Sequence, residues 1–258
     1  AIQYCQLERG IVVLHGDAGI GKTRGAARFV QDNPANAIYI RCTPVGGTLT
    51  AMLRQLGTAL KLPATRNRLE LSMAIHDRLK GTDKVIIIDE AQNLEADVLE
   101  QLRLLTNLET SERKLLQIIL IGQPELRGML ARPELEQLAQ RVIARFHLDA
   151  LSADETAQYI THRLAVAGGS GPVPFDAAAL QLVHRLARGV PRRINLLCGR
   201  AMLGAYASGQ HTIHRATVLR AAREVFVPDA AGAAAPGGRS RWSHPALWAL
   251  GGAAAVGL

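Results

Sequence analysis

The sequence has few aromatic residues and few cysteines. Aromatic side chains make up 4% of its 258 residues, so the core must consist mainly of leucine, isoleucine, valine and alanine. The three cysteines, Cys5, Cys42 and Cys198, are isolated and odd in number. No C-x-x-C pair occurs, which excludes a disulfide framework and a zinc knuckle and fits a reducing compartment. The sequence does not begin with Met and ends in mid-pattern, so we expect it to be a piece of a longer protein.

Positive charge is concentrated in the second part of the chain. The formal net charge is +8, and residues 151–226 carry nine arginines against four acidic residues. A basic surface of this kind suits nucleic acid or anionic lipid. An arginine-rich helical surface that only keeps the protein soluble is the equally weighted alternative.

Short apolar segments alternate with helical patterns over residues 1–150. The segments are 11–14, 37–40, 85–88, 116–121 and 144–148. Apolar runs of this length with helices between them are typical of a parallel sheet covered on both faces. We therefore predict an α/β fold, with a five-stranded parallel sheet flanked by helices, for this part of the chain.

Residues 151–226 have helical patterns throughout. Ser152 and Glu155 form a capping-box pattern that opens one helix, and Asp176 can cap a second. A third helix is expected from Pro191 to near Gly209, and a fourth over 215–225. Four short helices predict a small all-helical lid.

The last segments have a different composition. Residues 227–245 are rich in Ala, Gly and Pro, which predicts a flexible linker. Residues 246–258 contain no charge, and we expect them to begin a transmembrane helix that the sequence truncates. Arg239 and Arg241 would then hold the preceding domain in the cytoplasm. An Ala/Gly-rich tail is the alternative.

One complete phosphate-binding motif follows the first apolar segment. It fits the pattern G-x-x-x-x-G-K-[ST] and consists of Gly16, Asp17, Ala18, Gly19, Ile20, Gly21, Lys22 and Thr23. In such loops the backbone N–H groups and a helix N-terminus surround the phosphates of ATP. Lys22 is then expected to reach the β- and γ-phosphates, and Thr23 to bind Mg²⁺.

Two carboxylates follow the third apolar segment. Asp89 and Glu90 stand where the strand over 85–88 ends, and open α/β sheets place their sites at that edge. We expect Asp89 to hold Mg²⁺ through water and Glu90 to polarise the attacking water. An acidic turn without catalytic function is the alternative.

Four further side chains are weaker candidates. Gln123 follows the fourth segment and can touch the γ-phosphate or the attacking water if that strand lies beside the Asp89 strand; otherwise it is a turn residue. Arg141 and Arg145 are expected at a helix end or in a loop, where either could reach a neighbouring subunit's nucleotide. Arg192 stands in the first turn of the third lid helix, where a lid would lower its charge onto the nucleotide, unless it only faces solvent, DNA or lipid.

The chain resembles a known family of ATPases. Residues 89–226 resemble the ExeA/GspA-type ATPases of the general secretion pathway in five stretches: D-E-A-Q-N-L, L-E-Q-L-R-L-L-T-N-L-E-T, I-L-I-G-Q-P-E-L, L-A-R-P-E-L-E-Q-L-A-Q-R-V-I-A-R-F-H-L and R-G-V-P-R-R-I-N-L-L-C. The resemblance implies a P-loop NTPase fold of the AAA+/ASCE class and an inner-membrane protein with a cytoplasmic ATPase domain. It also implies a sensor 1 at Gln123, an arginine finger near Arg141 and a sensor 2 at Arg192.

The N-terminal third resembles a second group of ATPases. L-H-G-D-A-G-I-G-K-T-R and the stretch 48–80 are similar to B-type phage transposition ATPases, which select target DNA. Three hypotheses follow: a secretion-assembly ATPase with a membrane partner, a DNA-binding transposition regulator, and a scaffold in which the nucleotide is only structural. A homo-oligomer is expected because a finger at Arg141 would act between subunits.

Overall fold

A computed structural model of the chain describes residues 10–44, 47–80, 82–106 and 116–226. The strands are β1 (Ile11–Gly16), β2 (Ala37–Arg41), β3 (Val85–Asp89), β4 (Gln117–Gly122) and β5 (Val142–Leu148). The helices are α1 (Lys22–Asp32), α2 (Leu49–Ala59), α3 (Arg68–Leu79), α4 (Ala96–Leu105), α5 (Glu125–Leu130), α6 (Glu136–Gln140), α7 (Ala153–Val166), α8 (Ala177–Ala187), α9 (Pro191–Ala207) and α10 (Arg215–Val225). Short 3-10 helices lie at Ala91–Asn93 and Pro133–Leu135.

The five strands form one parallel sheet in the order β2-β3-β4-β1-β5, which confirms the predicted α/β fold. The central strands β1 and β4 are almost completely buried, whereas β5 alternates half-buried and exposed positions as an edge strand. β5 begins at Val142, two residues before the predicted start. Its half-exposed alternation gives a weaker apolar signal than the continuous runs of the central strands.

Alternate residues of each central strand pack on opposite faces of the sheet. Val12 and Leu14 face a layer that contains Ala26 and Phe29 of α1. Ile11 and Val13 belong to the larger core on the other face, which α2 to α6 cover. Both faces are thus buried by helices, and the carboxyl ends of β3, β4 and β1 meet side by side at one edge.

The helices after β5 have a core of their own. It is formed by buried residues of α7 to α10, with Phe175 and Ile213 from the connections. The predicted capping box is present at Ser152 and Glu155, and Asp176 accepts a hydrogen bond from the backbone N–H of Ala179. α7 to α10 begin where the sequence predicted their starts.

Residues 227–258 lie outside the described residues. The predicted linker over 227–245 and the apolar run over 246–258 therefore stay predictions. Among the residues that are described, no helix is both long enough and apolar enough to cross a lipid bilayer.

Candidate functional site

The loop between β1 and α1 closes around its own lysine. Gly19 and Gly21 adopt positive φ angles of 80° and 112°, a conformation open to glycine without steric penalty. The Lys22 ammonium donates to the carbonyl oxygens of Gly16 at 2.6 Å and Asp17 at 2.8 Å. These two hydrogen bonds connect the end of the loop to its start and place the positive charge of Lys22 against the loop backbone.

Lys22 is a buried cation at a helix N-terminus. Its side chain is 7% exposed, and this burial lowers the pKa of the ammonium. The nearby carboxylates of Glu90 and Asp89 act in the opposite direction and favour the charged form. An anionic ligand in the loop would relieve the loss of hydration, because it would give the ammonium a partner.

Asp89 is fully buried and its carboxylate accepts three hydrogen bonds. Oδ2 receives the hydroxyl groups of Thr23 at 2.6 Å and Tyr39 at 2.8 Å. Oδ1 receives the backbone N–H of Glu90 at 2.9 Å. The side chains of Thr23 and Asp89, 66 positions apart in sequence, therefore converge next to the phosphate loop.

The oxygens of Thr23 and Asp89 suit a magnesium ion. Mg²⁺ prefers oxygen ligands, and in phosphate-transfer sites it usually takes one or two from the protein and the rest from water and phosphate. A hydroxyl and a carboxylate in contact beside the loop provide this donor set. The chemistry of the residues present therefore fits the predicted cofactor.

Tyr39 was not identified from the sequence. It lies in the middle of β2, and its hydroxyl fixes the carboxylate that Thr23 also contacts. Burial and the hydrogen bond to Asp89 raise the pKa of this hydroxyl. The available signal was weak: Tyr39 is one of four tyrosines, and it stands in an apolar strand.

Glu90 lies directly after β3 in a strained backbone conformation. Its φ angle is +58°, which is uncommon for a residue other than glycine. Oε2 accepts a hydrogen bond from Gln92 at 2.6 Å and a longer one from Gln123 at 3.4 Å. Because β3 and β4 are neighbours, Gln123 reaches the end of the Asp89 strand, which was the condition set for its role.

Gln92 was also missed as an individual residue. Its Oε1 accepts the backbone N–H of Gln123 at 3.1 Å while its Nε2 donates to Glu90. The only sequence signal was its place in the stretch D-E-A-Q-N-L. Nothing in that pattern indicates that a side chain two residues after Glu90 would reach the next strand.

The first turn of α9 packs directly on the phosphate loop. The backbone N–H of Arg192 donates to the carbonyl of Gly19 at 3.2 Å. A Cβ atom added at Gly19 would lie 2.7 Å from the Arg192 Cβ, so only glycine permits this approach. Arg192, predicted to sit where a lid meets the nucleotide, is thus placed at the loop.

Arg141 lies beside the amino-terminal end of β1, whereas the phosphate loop follows its carboxyl-terminal end. Its carbonyl accepts the backbone N–H of Ile11 at the start of β1, whereas the loop follows the end of β1 at Gly16. Six residues of strand separate the two ends by about 17 Å. Arg141 is therefore remote from the loop of its own chain.

The expectation that Arg145 occupies a helix end or loop is wrong. Arg145 lies inside β5, where it pairs with Val13, and its guanidinium contacts the carbonyl of Ala139 at 3.5 Å. A helix end is present, but it stops at Arg141, which caps α6. The edge strand begins immediately afterwards because Val142 pairs with Ile11.

The part of the chain that contains the loop, Asp89 and Glu90 also matches a known protein family. Residues 6–130 match the family described as AAA domain. General secretion pathway protein A of Aeromonas hydrophila is 44% identical over 223 residues, which cover 84% of this chain and 41% of that protein. ATP-dependent target DNA activator B of Escherichia phage Mu is 38% identical over 106 residues, covering 41% of this chain and 34% of that protein. The chain thus spans less than half the length of these relatives.

Solved structures show the same fold at low sequence identity. The ADP form of the Aeropyrum pernix ORC2 protein has a TM-score of 0.64 at 17% identity and covers 84% of this chain and 63% of its own. The Thermotoga maritima RuvB Holliday junction branch migration motor has a TM-score of 0.61 at 20% identity, with coverage of 87% and 65%. At this identity the likeness concerns the fold alone.

Proposed function

We propose that this chain is a P-loop ATPase of the AAA+ type, which binds Mg-ATP at Gly16–Thr23 and hydrolyses it with Glu90 as general base. The match of residues 6–130 to the AAA domain family and the fold shared with ORC2 and RuvB support this proposal. The observation that carries the proposal is the contact between the Thr23 hydroxyl and the Asp89 carboxylate at 2.6 Å. It joins the phosphate loop to the acidic strand end, so that phosphate and metal ligands share one site.

The loop and its lysine bind the phosphates in this mechanism. Backbone N–H groups of the loop and the N-terminus of α1 face the phosphate oxygens, and Lys22 exchanges its carbonyl partners for them. Thr23 and Asp89 would hold Mg²⁺, which would neutralise charge on the phosphates. Tyr39 keeps the Asp89 carboxylate turned toward Thr23.

Glu90 takes the proton of the attacking water. Its Oε2 is occupied by Gln92 and Gln123, which leaves Oε1 to accept from water. Gln123 lies beside it, where its amide can also orient the water or the γ-phosphate. The site thus combines a phosphate cradle, metal ligands and a base.

Replacement of Glu90 by glutamine tests this proposal. We expect Glu90→Gln to bind Mg-ATP with an affinity near that of the wild type and to hydrolyse it about 100-fold more slowly or worse, because an amide cannot accept the proton. Phosphate release and binding of a fluorescent ATP analogue measure the two effects separately. Loss of binding in a folded variant would instead assign Glu90 a metal-holding or structural role.

We infer that residues 1–150 act as the nucleotide-binding base and residues 151–226 as a lid. Arg192 begins α9 against Gly19, so a change in the loop on phosphate binding reaches the lid through this contact. Its guanidinium then adds a positive charge at the nucleotide. This combination couples the position of the lid to the state of the nucleotide.

We further propose that the active form is a homo-oligomer. Arg141 is about 17 Å from its own loop along β1, so its guanidinium serves a neighbouring subunit as an arginine finger. Such a residue increases phosphate-transfer rates by about 10³ to 10⁵. Arg145 lies within β5 and is the matched alternative.

The biological role that we favour is assembly work in a secretion pathway. Support comes from the 44% identity to General secretion pathway protein A over 84% of this chain. In this proposal the ATPase acts at the cytoplasmic face of the bacterial inner membrane with a membrane partner. A chimera in which this chain replaces the matching region of the Aeromonas hydrophila protein should restore secretion in a strain lacking that protein; failure of the folded, ATP-hydrolysing chimera would contradict it.

ATP-dependent DNA binding is the second candidate. The N-terminal similarity to the target DNA activator and the nine arginines of residues 151–226 favour it. Duplex DNA retained on filters with Mg-ATP, but not with Mg-ADP, would support this role. Binding only to anionic vesicles would support the membrane role instead.

A further inference from the structure

Gln92 connects the candidate base to the end of the neighbouring strand. Its Nε2 donates to Glu90 at 2.6 Å, and its Oε1 accepts the backbone N–H of Gln123 at 3.1 Å. One amide therefore joins the side chain that follows β3 to the backbone that follows β4. By comparison, the direct bond from Gln123 to Glu90 is long, at 3.4 Å.

The orientation of this amide is determined by its partners. A backbone N–H can only donate, so the amide group next to Gln123 must be the oxygen. The NH₂ group then points at Glu90, whose ionised carboxylate can only accept. A flipped amide would place two donors together and two acceptors together, so one orientation satisfies both contacts.

The surrounding backbone leaves space for the Gln92 side chain and restricts its position. A Cβ atom added at Gly122 would lie 2.8 Å from the Gln92 Oε1, so glycine at this position makes space for the amide. Gln92 belongs to the 3-10 helix Ala91–Asn93, in which the Asn93 N–H donates to the Glu90 carbonyl at 3.0 Å. Glu90 is the N-cap of this short helix, so the turn of the helix places the Gln92 amide next to the Glu90 side chain.

We propose that Gln92 is a positioning residue that holds the Glu90 carboxylate in its hydrolytic orientation. The inference rests on the proposed role of Glu90 as general base. A glutamate has three rotatable side-chain bonds, and the backbone of Glu90 itself lies in the left-handed region, so its carboxylate needs an external contact to keep one direction. The short bond from Gln92 supplies it and leaves Oε1 to the water.

The first test removes both hydrogen bonds without changing the side-chain length. We expect Gln92→Met to lower kcat by about 10- to 100-fold, since a base displaced by about 1 Å loses rate on this scale. The KM for ATP and the affinity for a fluorescent ATP analogue should stay within about twofold, because Gln92 touches neither the loop nor Thr23. Asn93→Ala is the matched control: it removes one bond, to the Cys42 carbonyl, from the same 3-10 helix and should keep kcat within about twofold.

The second test separates positioning from a structural role. In Gln92→Glu the new carboxyl can replace the amide only when it carries a proton to donate to Glu90, while its other oxygen accepts from Gln123. Two adjacent carboxyl groups bind one proton more tightly than either does alone. The ratio of variant to wild-type kcat should therefore rise at least fivefold as the pH falls from about 8 to about 6.

Three results would overturn the inference. Gln92→Met with normal kcat beside an inactive Glu90→Gln would refute it while the proposed function stands. A faster Gln92→Met would show that the contact restrains the base, and a pH-independent ratio for Gln92→Glu would leave Gln92 a structural residue. Hydrolysis by Glu90→Gln at the wild-type rate would overturn the proposed function and this inference together.

Discussion

The hydroxyl of Tyr39 should make a measurable contribution to stability. Removing it in Tyr39→Phe leaves the fully buried Asp89 carboxylate with two of its three hydrogen bonds, from Thr23 and from the backbone of Glu90. Hydrogen bonds to charged groups contribute about 1.5–3 kcal/mol. Tyr39 is only half-buried, so water can replace part of the contact, and we expect the lower end, about 1.5 kcal/mol.

The same substitution should weaken metal-dependent binding. Without the tyrosine hydroxyl the carboxylate can turn away from Thr23, so we expect the affinity for Mg-ATP to fall several-fold. The affinity for ATP in the presence of EDTA should change less, because the loop and Lys22 are untouched. Titration of a fluorescent ATP analogue with and without Mg²⁺ measures this difference.

Urea denaturation measures the effect on stability, and pH provides an internal check. The pKa of Tyr39 is raised above its ordinary value of 10.0, so the native state favours the protonated hydroxyl. Its contribution is therefore complete below about pH 10 and is lost at higher pH. The stability difference between wild type and Tyr39→Phe should be constant from neutral pH to about pH 10 and shrink above that.

Tyr206→Phe is the matched control. Tyr206 is 86% exposed on α9, so the same chemical change should alter the free energy of unfolding by less than about 0.5 kcal/mol. If Tyr39→Phe behaved like Tyr206→Phe in both assays, the assignment of Tyr39 as a support of Asp89 would be refuted.

Two further predictions concern the loop and the oligomer. Lys22→Met should abolish stabilisation by ATP yet leave the nucleotide-free protein at least as stable in urea, because burial disfavours the ammonium. Since burial lowers the pKa of Lys22, the stability of the wild type should rise relative to that of the variant as the pH approaches 10.5. A stability difference that does not change with pH would contradict this. Arg141→Ala and Lys22→Ala subunits should each be nearly inactive and regain part of the ATPase rate when mixed. Arg145→Ala subunits used in place of Arg141→Ala test the alternative finger. Simple addition of the two rates, in mixed oligomers confirmed by mass, would refute a finger acting between subunits.

Prediction from the sequence worked best where a pattern reports local chemistry. The motif from Gly16 to Thr23 determines a strand, a turn with glycines and a helix N-terminus within eight residues. Asp176 likewise caps its helix through an atom three residues away. It was inconsistent for Arg145, which was expected at a helix end or in a loop although it belongs to the apolar segment 144–148, because an edge strand with half-exposed positions gives a weak pattern at its start.

The contacts of the site were decided by strand order. Tyr39 and Gln92 were missed because their partners, Asp89 and Gln123, are 50 and 31 residues away in the sequence. A tyrosine or a glutamine in a sequence does not by itself indicate a hydrogen bond to so distant a residue. Only the sheet order, which places β2 next to β3 and β3 next to β4, brings these groups together.

The sequence by itself determined that the chain has an α/β sheet, a phosphate loop and an acidic strand end, because each depends on residues adjacent along the chain. The tertiary structure alone decided that Thr23 contacts Asp89, that Gln92 donates a hydrogen bond to Glu90 and that Arg192 packs on Gly19. The physical reason is that side-chain hydrogen bonds act over about 3 Å. Only the pairing of distant strands and the packing of α9 bring those atoms within that range.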